Sequence, residues 1–325
     1  MIRSLIILLT YFCCPVQIFA QLPANCSGAS PRIAIAGDSW AQYMADDGVH
    51  NEILAMYGHA DKTAISESYE IDLLCTSNPG PLDYAVSGSE SREWADEVNY
   101  DYLQNLIDAL NANSSVDWVL LSIGGNDILA GRSDGGWYKN MDLDVAGSEA
   151  ALFNQVMNNT NYIINQVWSR ARPDINFVIS SYDYPNFNVT SFLCGFYACP
   201  KREDLSRDTN GNGSIDAAEL ITDAELGAMM VTVEQQRQAY SDITPKVFYD
   251  NAMGLSHYYF GYDDGLYTPI VQGTTPHPLG VSPYTPGGDS NTPTDRDNFR
   301  LVGICGFPGF LPADPIHLDA LTYEY

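Results

Sequence analysis

The sequence predicts an α/β fold in which helices cover both faces of a mainly parallel sheet. Short apolar runs recur along the chain, and longer segments with apolar residues at helical spacing lie between them. Strands that alternate with helices form right-handed βαβ units, which bury a parallel sheet between two helical layers. Three early runs end in glycine-containing turns, which is typical of strands that lead into helices.

The predicted elements follow one another in a regular order. The predicted strands are 33–36, 84–88, 118–123, 175–180 and 247–249. The predicted helices are 40–44, 99–112, 147–172 and 223–240. Residues 254–312 are rich in Gly, Pro, Tyr and Asp, and this composition predicts long ordered loops.

Composition limits the class of protein and its partners. The chain has 325 residues and 45% hydrophobic content, enough for one large α/β domain with a sizeable core. Its formal charge of −26 argues against nucleic acid and against anionic membrane surfaces, because a strongly acidic protein is repelled by both. The charge suits an exported protein, a saline habitat or a cation-binding protein, and does not choose among them.

Residues 1–20 have the pattern of a secretory signal peptide. Arg3 provides the positive start, residues 5–14 form a short apolar core, and Ala20 offers a small residue for cleavage. The apolar core is too short for a membrane span. We therefore predict a secreted or periplasmic protein whose mature domain is 21–325. The alternative is a single N-terminal anchor.

Five cysteines follow the signal peptide, and their spacings match no zinc pattern: Cys26, Cys75, Cys194, Cys199 and Cys305. In an oxidising compartment they are expected to form disulfides. Cys194 and Cys199 are the favoured pair because they are close in sequence. The pairing of the other three is left open.

Three turns carry polar residues at predicted strand ends: 37–39 (Gly-Asp-Ser), 87–89 (Ser-Gly-Ser) and 124–127 (Gly-Gly-Asn-Asp). The carboxyl ends of parallel strands meet at one edge of a sheet, so these turns are expected to line one crevice. A hydroxyl beside a helix N-terminus there is a candidate nucleophile, since the helix dipole favours developing negative charge. That hydroxyl belongs to Ser39.

Acyl transfer needs a nucleophile, a base, a group that orients the base, and donors for the oxyanion. Ser39 fits the first role, while His317 and Asp314, three residues apart near the C-terminus, fit the next two. The backbone N–H groups of Ser39 and Gly88 and the side-chain amide of Asn126 are the predicted oxyanion donors. A glycine at 88 lets the backbone approach a substrate closely.

These four blocks, in this order, resemble the SGNH hydrolases, also called GDSL-type esterases and lipases. The resemblance covers roughly residues 31–325, and it differs from the family pattern at Trp40, where the family name has leucine. It implies a flavodoxin-like three-layer α/β/α fold and hydrolysis through an acyl-enzyme. It also implies the roles assigned above to Ser39, Gly88, Asn126 and the Asp314/His317 pair.

A second motif fits the EF-hand calcium loop at every defining position. The predicted ligands are all oxygen donors: Asp208, Asn210, Asn212, the Ser214 carbonyl, Asp216 and Glu219. The loop falls in a segment, about 190–222, that interrupts the alternation of strands and helices. We expect Ca²⁺ to stabilise this insertion and to take no part in the chemistry.

The sequence therefore predicts a secreted serine esterase that hydrolyses carboxylic esters and needs no cofactor for catalysis. Its small-molecule substrate is expected to be either an esterified carbohydrate or a lipid. The aromatic run 258–262 could stack on sugar rings or form an apolar wall. The alternative from another class is a non-catalytic, calcium-stabilised extracellular binding protein on the same fold.

Overall fold

The structure is a computed structural model, and it describes most of the predicted sheet and its helices. The described residues are 31–46, 63–65, 68–69, 83–129, 148–182, 202–206, 208–250, 299–301 and 313–318. The predicted signal peptide, all five mature cysteines and the aromatic run 258–262 lie outside these residues.

Seven of the described strands form one sheet in which every pairing is parallel. They are β1 (Pro31–Gly37), β2 (Thr63–Ile65), β3 (Ser68–Tyr69), β4 (Ala85–Val86), β5 (Trp118–Ser122), β6 (Asn176–Ser180) and β7 (Val247–Asp250). The strand order is β3-β4-β1-β5-β6-β7, and β2 pairs with β1. The run β4-β1-β5-β6-β7 has the flavodoxin-like order, which confirms the predicted fold class.

Within the described ranges, six α-helices lie between or after these strands. They are α1 (Ser39–Asp46), α2 (Ser91–Ala95), α3 (Tyr102–Ala112), α4 (Gly125–Leu129), α5 (Ser148–Arg170) and α6 (Asp223–Ile243). A 3-10 turn, Arg202–Leu205, precedes α6. A separate antiparallel pair joins β8 (Phe299–Leu301) to β9 (Ala313–Leu318).

Alternate residues of β1 pack against different helical layers, which is why the fold has three layers. Ala34 and Ala36 belong to the main core cluster, together with buried residues of α3 and α5. Ile35 points the other way and packs with Ala41 of α1. This alternation follows from the two-residue period of a strand, and it requires a strand that is apolar on both faces.

The long helices agree closely with their predicted bounds because their apolar residues recur at helical spacing. Several short elements were not predicted, among them β2, β3 and β9. The 124–127 turn continues into helix α4, and the segment after the 87–89 turn forms α2. Part of the predicted loop region 254–312 is strand β8.

Candidate active site

The turn that carries Ser39 is fixed by a glycine. Gly37 ends β1 with φ +136°, and a Cβ at this position would lie 1.8 Å from the carbonyl oxygen of Ser122. That close approach lets the backbone N–H of Asp38 donate to the same oxygen at 2.8 Å. The buried Ser39 is then the first residue of α1, at the carboxyl edge of the sheet, as predicted.

The second turn contacts the first, and the third turn contacts the second. Gly88 follows β4 with φ +77°, and the next residue, Ser89, directs its Oγ towards the carbonyl oxygen of Gly37 at 3.5 Å. The side-chain amide of Asn126 donates to the carbonyl oxygen of Ser89 at 3.1 Å. The three turns that hold the predicted oxyanion donors therefore lie together at one edge of the sheet.

The backbones of Asp314 and His317 form part of β9. Their side chains lie outside the described part of the structure. The assignment of His317 as the base and of Asp314 as the group that orients it stays a prediction.

Asp127 holds the second turn against the third. Its Oδ2 accepts from the backbone N–H of Ser91 at 2.8 Å, and its Oδ1 accepts from the Ser91 hydroxyl at 2.7 Å. Asn159 of α5 donates to that hydroxyl oxygen at 3.0 Å. Burial raises the pKa of the Asp127 carboxyl, and the hydrogen bonds from Ser91 partly offset this. The residue next to Asn126 thereby fixes the start of α2, which follows directly after the Gly88 turn.

Glu90 is a buried carboxyl between the Gly88 turn and α2. Burial and the nearby Asp127 raise the pKa of Glu90 to about 8, although Arg92 lies 2.5 Å away and opposes the shift. The folded protein therefore binds a proton here over a pH range in which the unfolded chain has released it. Stability gained from this proton is present at low pH and is lost as the pH rises towards about 8.

We expect Glu90→Gln to weaken the dependence of unfolding free energy on pH between about 5 and about 8. The amide cannot ionise, so one of the protons that favour the folded state at the acidic end no longer contributes. Some slope remains, because burial also raises the pKa values of Asp127 and Glu234. Urea unfolding at several pH values measures this. The exposed Glu203→Gln variant is the control, and an unchanged slope in Glu90→Gln would contradict the prediction.

A buried ion pair on α6 contacts the carboxyl ends of β5 and β6. Arg237 and Glu234 are almost fully buried and lie 3.5 Å apart. Arg237 donates to the carbonyl oxygen of Ile123, just past β5, at 2.6 Å and to that of Ser180, the last residue of β6, at 3.0 Å. Although burial lowers the pKa of Arg237, the surrounding negative groups, Glu234 first, raise it more. The guanidinium therefore keeps its charge.

Sequence reasoning did not single out this pair. A signal was present, because both charges fall on the buried stripe of α6. Met230, Val233, Glu234 and Arg237 recur at the spacing of one helical face, and all four are buried. Two opposite charges three residues apart on an otherwise apolar stripe indicate a buried pair.

The predicted calcium loop has the tight backbone that its two glycines allow. Gly211 and Gly213 have φ values of +72° and +82°. Their N–H groups donate to the two carboxylate oxygens of Asp208, at 2.7 and 2.6 Å. The loop lies in the connection between β6 and α6, directly before the Thr222 cap of α6.

The other predicted ligands face one another across this loop. The Asp216 Oδ2 lies 3.0 and 3.1 Å from the amide nitrogens of Asn210 and Asn212. Oε1 of Glu219 accepts from the N–H of Thr209 at 2.8 Å and that of Asn210 at 2.9 Å. The pKa of Glu219 is lowered most by the hydrogen bond that its carboxylate accepts from the N–H of Asp216. The bonds from Thr209 and Asn210 lower it further.

The side chains of this loop suit a hard cation, because they are carboxylates and amides that supply only oxygen ligands. Their positions differ from those of a preformed cage, since the carboxylates accept hydrogen bonds from the loop itself. Among the described residues, no group of three or more His, Cys, Asp or Glu side chains is arranged to hold a metal ion. Ca²⁺ binding would replace hydrogen bonds of these oxygens with bonds to the ion.

Comparisons with known proteins found no matching family and no matching curated protein. Solved structures do match, at sequence identities of 20% or less for the following three. A Streptococcus pneumonia protein described as a platelet activating factor is 14% identical, with a TM-score of 0.42 over 100% of this chain and 94% of that one. The extracellular lipase of Streptomyces rimosus is 17% identical, with a TM-score of 0.32 over 68% and 79%. Phospholipase A1 of Streptomyces albidoflavus NA297 is 20% identical, with a TM-score of 0.32 over 74% and 90%.

None of the helices in the described ranges combines the length and the apolar character that a membrane crossing requires.

Proposed function

We propose that this chain is a serine hydrolase that cleaves carboxylic esters through an acyl-enzyme on Ser39. The observation that carries the proposal is the meeting of three turns at the carboxyl edge of the sheet. Ser39 begins α1 there, and the turns of Gly88 and Asn126 contact its own turn through Ser89. A nucleophile next to several N–H donors is the arrangement that acyl transfer needs.

In the proposed reaction the Ser39 hydroxyl attacks the ester carbonyl carbon while His317 takes its proton. Asp314 holds the imidazole in the correct tautomer and stabilises its positive charge. The N–H groups of Ser39 and Gly88 and the amide of Asn126 stabilise the oxyanion. His317 then returns the proton to the leaving alcohol. Water, activated by the same histidine, hydrolyses the acyl-enzyme in the second half of the reaction.

The Asn126 amide can take this role without breaking its present bond. Its NH₂ group has two hydrogens, and the described bond to the Ser89 carbonyl oxygen uses one of them. That bond also fixes the orientation of the amide. A donor held in place before the reaction is worth more than one that must reorient, since it needs no reorganisation when negative charge develops.

Hydrolysis of a series of p-nitrophenyl esters tests the proposal and separates the two substrate classes. Acetyl and butyryl esters should be cleaved by an enzyme for esterified carbohydrates, and long acyl chains should be preferred by a lipase. Initial bursts of p-nitrophenol, proportional to enzyme, would indicate an acyl-enzyme. If the purified protein cleaves none of the esters, the binding-protein alternative replaces this proposal.

We further propose that the protein is exported and that Ca²⁺ holds the segment between β6 and α6 in shape. Asp208, Asn210, Asn212, Asp216, Glu219 and the Ser214 carbonyl would supply the ligands. The ion would act only on structure, because the loop belongs to the connection before α6 and the candidate nucleophile lies at the end of β1. A calcium affinity suited to extracellular concentrations fits this role.

Chelation of calcium is expected to lower the melting temperature of the protein. A ligand that binds only the folded state stabilises it, by about 2.7 kcal/mol when its free concentration is about 100 times the Kd. Asp208→Ala should lower the melting temperature in calcium and remove the response to chelator. Asp174→Ala, an exposed carboxylate outside the loop, should keep the full response. Melting curves that chelator leaves unchanged in the wild-type protein would contradict the calcium proposal.

A further inference from the structure

Tyr182, just past the end of β6, contacts the residues on both sides of Ser39. Its hydroxyl donates to the Oδ2 of Asp38, 144 residues earlier in the chain. Its ring packs edge-on against the ring of Trp40, with centroids 5.4 Å apart and planes at 80°. Asp38 in turn accepts from the backbone N–H of Trp40 at 3.0 Å through its other oxygen, and so caps α1.

The same ring also touches the turn that carries Asn126. A Cβ at Gly125 would lie 2.6 Å from the Cε1 atom of Tyr182, so the ring occupies the space that a side chain at 125 would need. Gly125 is the first residue of α4, and Asn126 is the second. One buried ring therefore separates the start of α1 from the start of α4.

Tyr182 also contacts Glu234 and Arg237 of α6, and these contacts restrict its movement. Its backbone N–H donates to the Oε1 of Glu234 at 3.3 Å, and the Arg237 guanidinium carbon lies 4.9 Å from the ring centroid. Burial first, and then the Asp38 charge, raise the pKa of Tyr182 well above its ordinary value. Its hydroxyl consequently remains a hydrogen-bond donor to Asp38 at any physiological pH.

We infer that Tyr182 is a positioning residue, which acts through Asp38 to set the Ser39 turn at a fixed distance from the Asn126 turn. The inference rests on the proposed function. Oxyanion donors contribute most when they stand in place before charge develops, and displacements of about 1 Å can cost about 10²-fold in rate. If the distance between the Ser39 and Asn126 turns is no longer fixed, kcat should fall and KM should stay nearly unchanged. The reason is that the transition state depends on donor geometry more than the bound ester does.

Tyr182→Phe tests the inference, since it removes the hydroxyl and keeps the ring against Trp40 and Gly125. We expect kcat for p-nitrophenyl acetate to fall by about tenfold or more, as for loss of a hydrogen bond to a charged group, with little change in KM. Tyr162→Phe is the matched control. It deletes an exposed phenol-to-carboxylate bond of 2.7 Å to Glu97 that contacts neither Asp38 nor Glu234. Its kcat should stay within about twofold of the wild-type value even if its melting temperature falls.

A double-mutant cycle shows whether Tyr182 acts through Asp38. If it does, Tyr182→Phe should lower kcat by a much smaller factor in an Asp38→Asn background than in the wild type. Equal costs in the two backgrounds, or a folded Tyr182→Phe protein with wild-type kcat, would overturn the inference. Should Tyr182→Phe fail to fold, Asp38→Asn carries the test alone, and full activity in that variant would overturn it.

The outcomes also separate this inference from the proposed function. A wild-type protein that cleaves no ester refutes both. A wild-type protein that is active, together with an active Tyr182→Phe variant, refutes only the positioning role of Tyr182.

Discussion

Ser39→Ala is expected to lose at least about 10⁴-fold in kcat for ester hydrolysis and to melt at the wild-type temperature. The substitution removes only the attacking oxygen. The cap of α1 is Asp38, which accepts from the N–H of Trp40 at 3.0 Å, so alanine at 39 leaves the helix start intact. Steady-state kinetics with p-nitrophenyl acetate and thermal melts followed by circular dichroism measure the two quantities.

Ser114→Ala is the matched control for this experiment. Ser114 is exposed, lies shortly before β5 and is therefore at the opposite edge of the sheet. It should retain full activity. A folded Ser39→Ala protein that keeps more than about a tenth of wild-type kcat would place the nucleophile elsewhere.

Arg237→Met is expected to lower the free energy of unfolding by about 3–5 kcal/mol, because it leaves a buried carboxylate without its ion-pair partner. Glu234 would keep its hydrogen bonds but lose the charge 3.5 Å away. The carbonyl oxygens of Ile123 and Ser180 would also lose the donors that they have in the wild-type protein. Urea unfolding at pH 7 measures the loss.

The exposed ion pair between Arg32 and Asp117 provides the comparison. Solvent screens an exposed pair, so Arg32→Met should lower the free energy of unfolding far less than Arg237→Met does. Arg237→Lys, which keeps the charge but not the forked geometry, should fall between the two. If Arg237→Met and Arg32→Met destabilised the protein equally, the buried pair would not be what stabilises the strand ends.

The sequence was sufficient for the parts of the site that follow directly from the strand pattern. Ser39, Gly88 and Asn126 each stand at or just past the end of a predicted strand, and a parallel sheet brings such positions together without further information. The long helices α5 and α6 were predicted for a similar reason, since their length makes the apolar spacing unambiguous.

The contacts that hold these turns in place could not be read from local pattern. Helix α2 has five residues, too few to show a period. Tyr182 meets Asp38 across 144 residues of sequence, and nothing near either residue indicates the partner. The stripe pattern of α6 indicates that Glu234 and Arg237 are buried, but it does not indicate that Arg237 donates to the ends of β5 and β6.

Labelling with a fluorophosphonate tests the central proposal most directly, because the probe forms a stable adduct only with an activated serine. Trypsin should release residues 33–62 as one peptide, in which Ser39 is the single serine. We predict one probe per chain, located on this peptide by mass spectrometry, and no labelling of Ser39→Ala. A folded protein that takes no label, or that carries the label on another peptide, would contradict the assignment of Ser39 as the nucleophile.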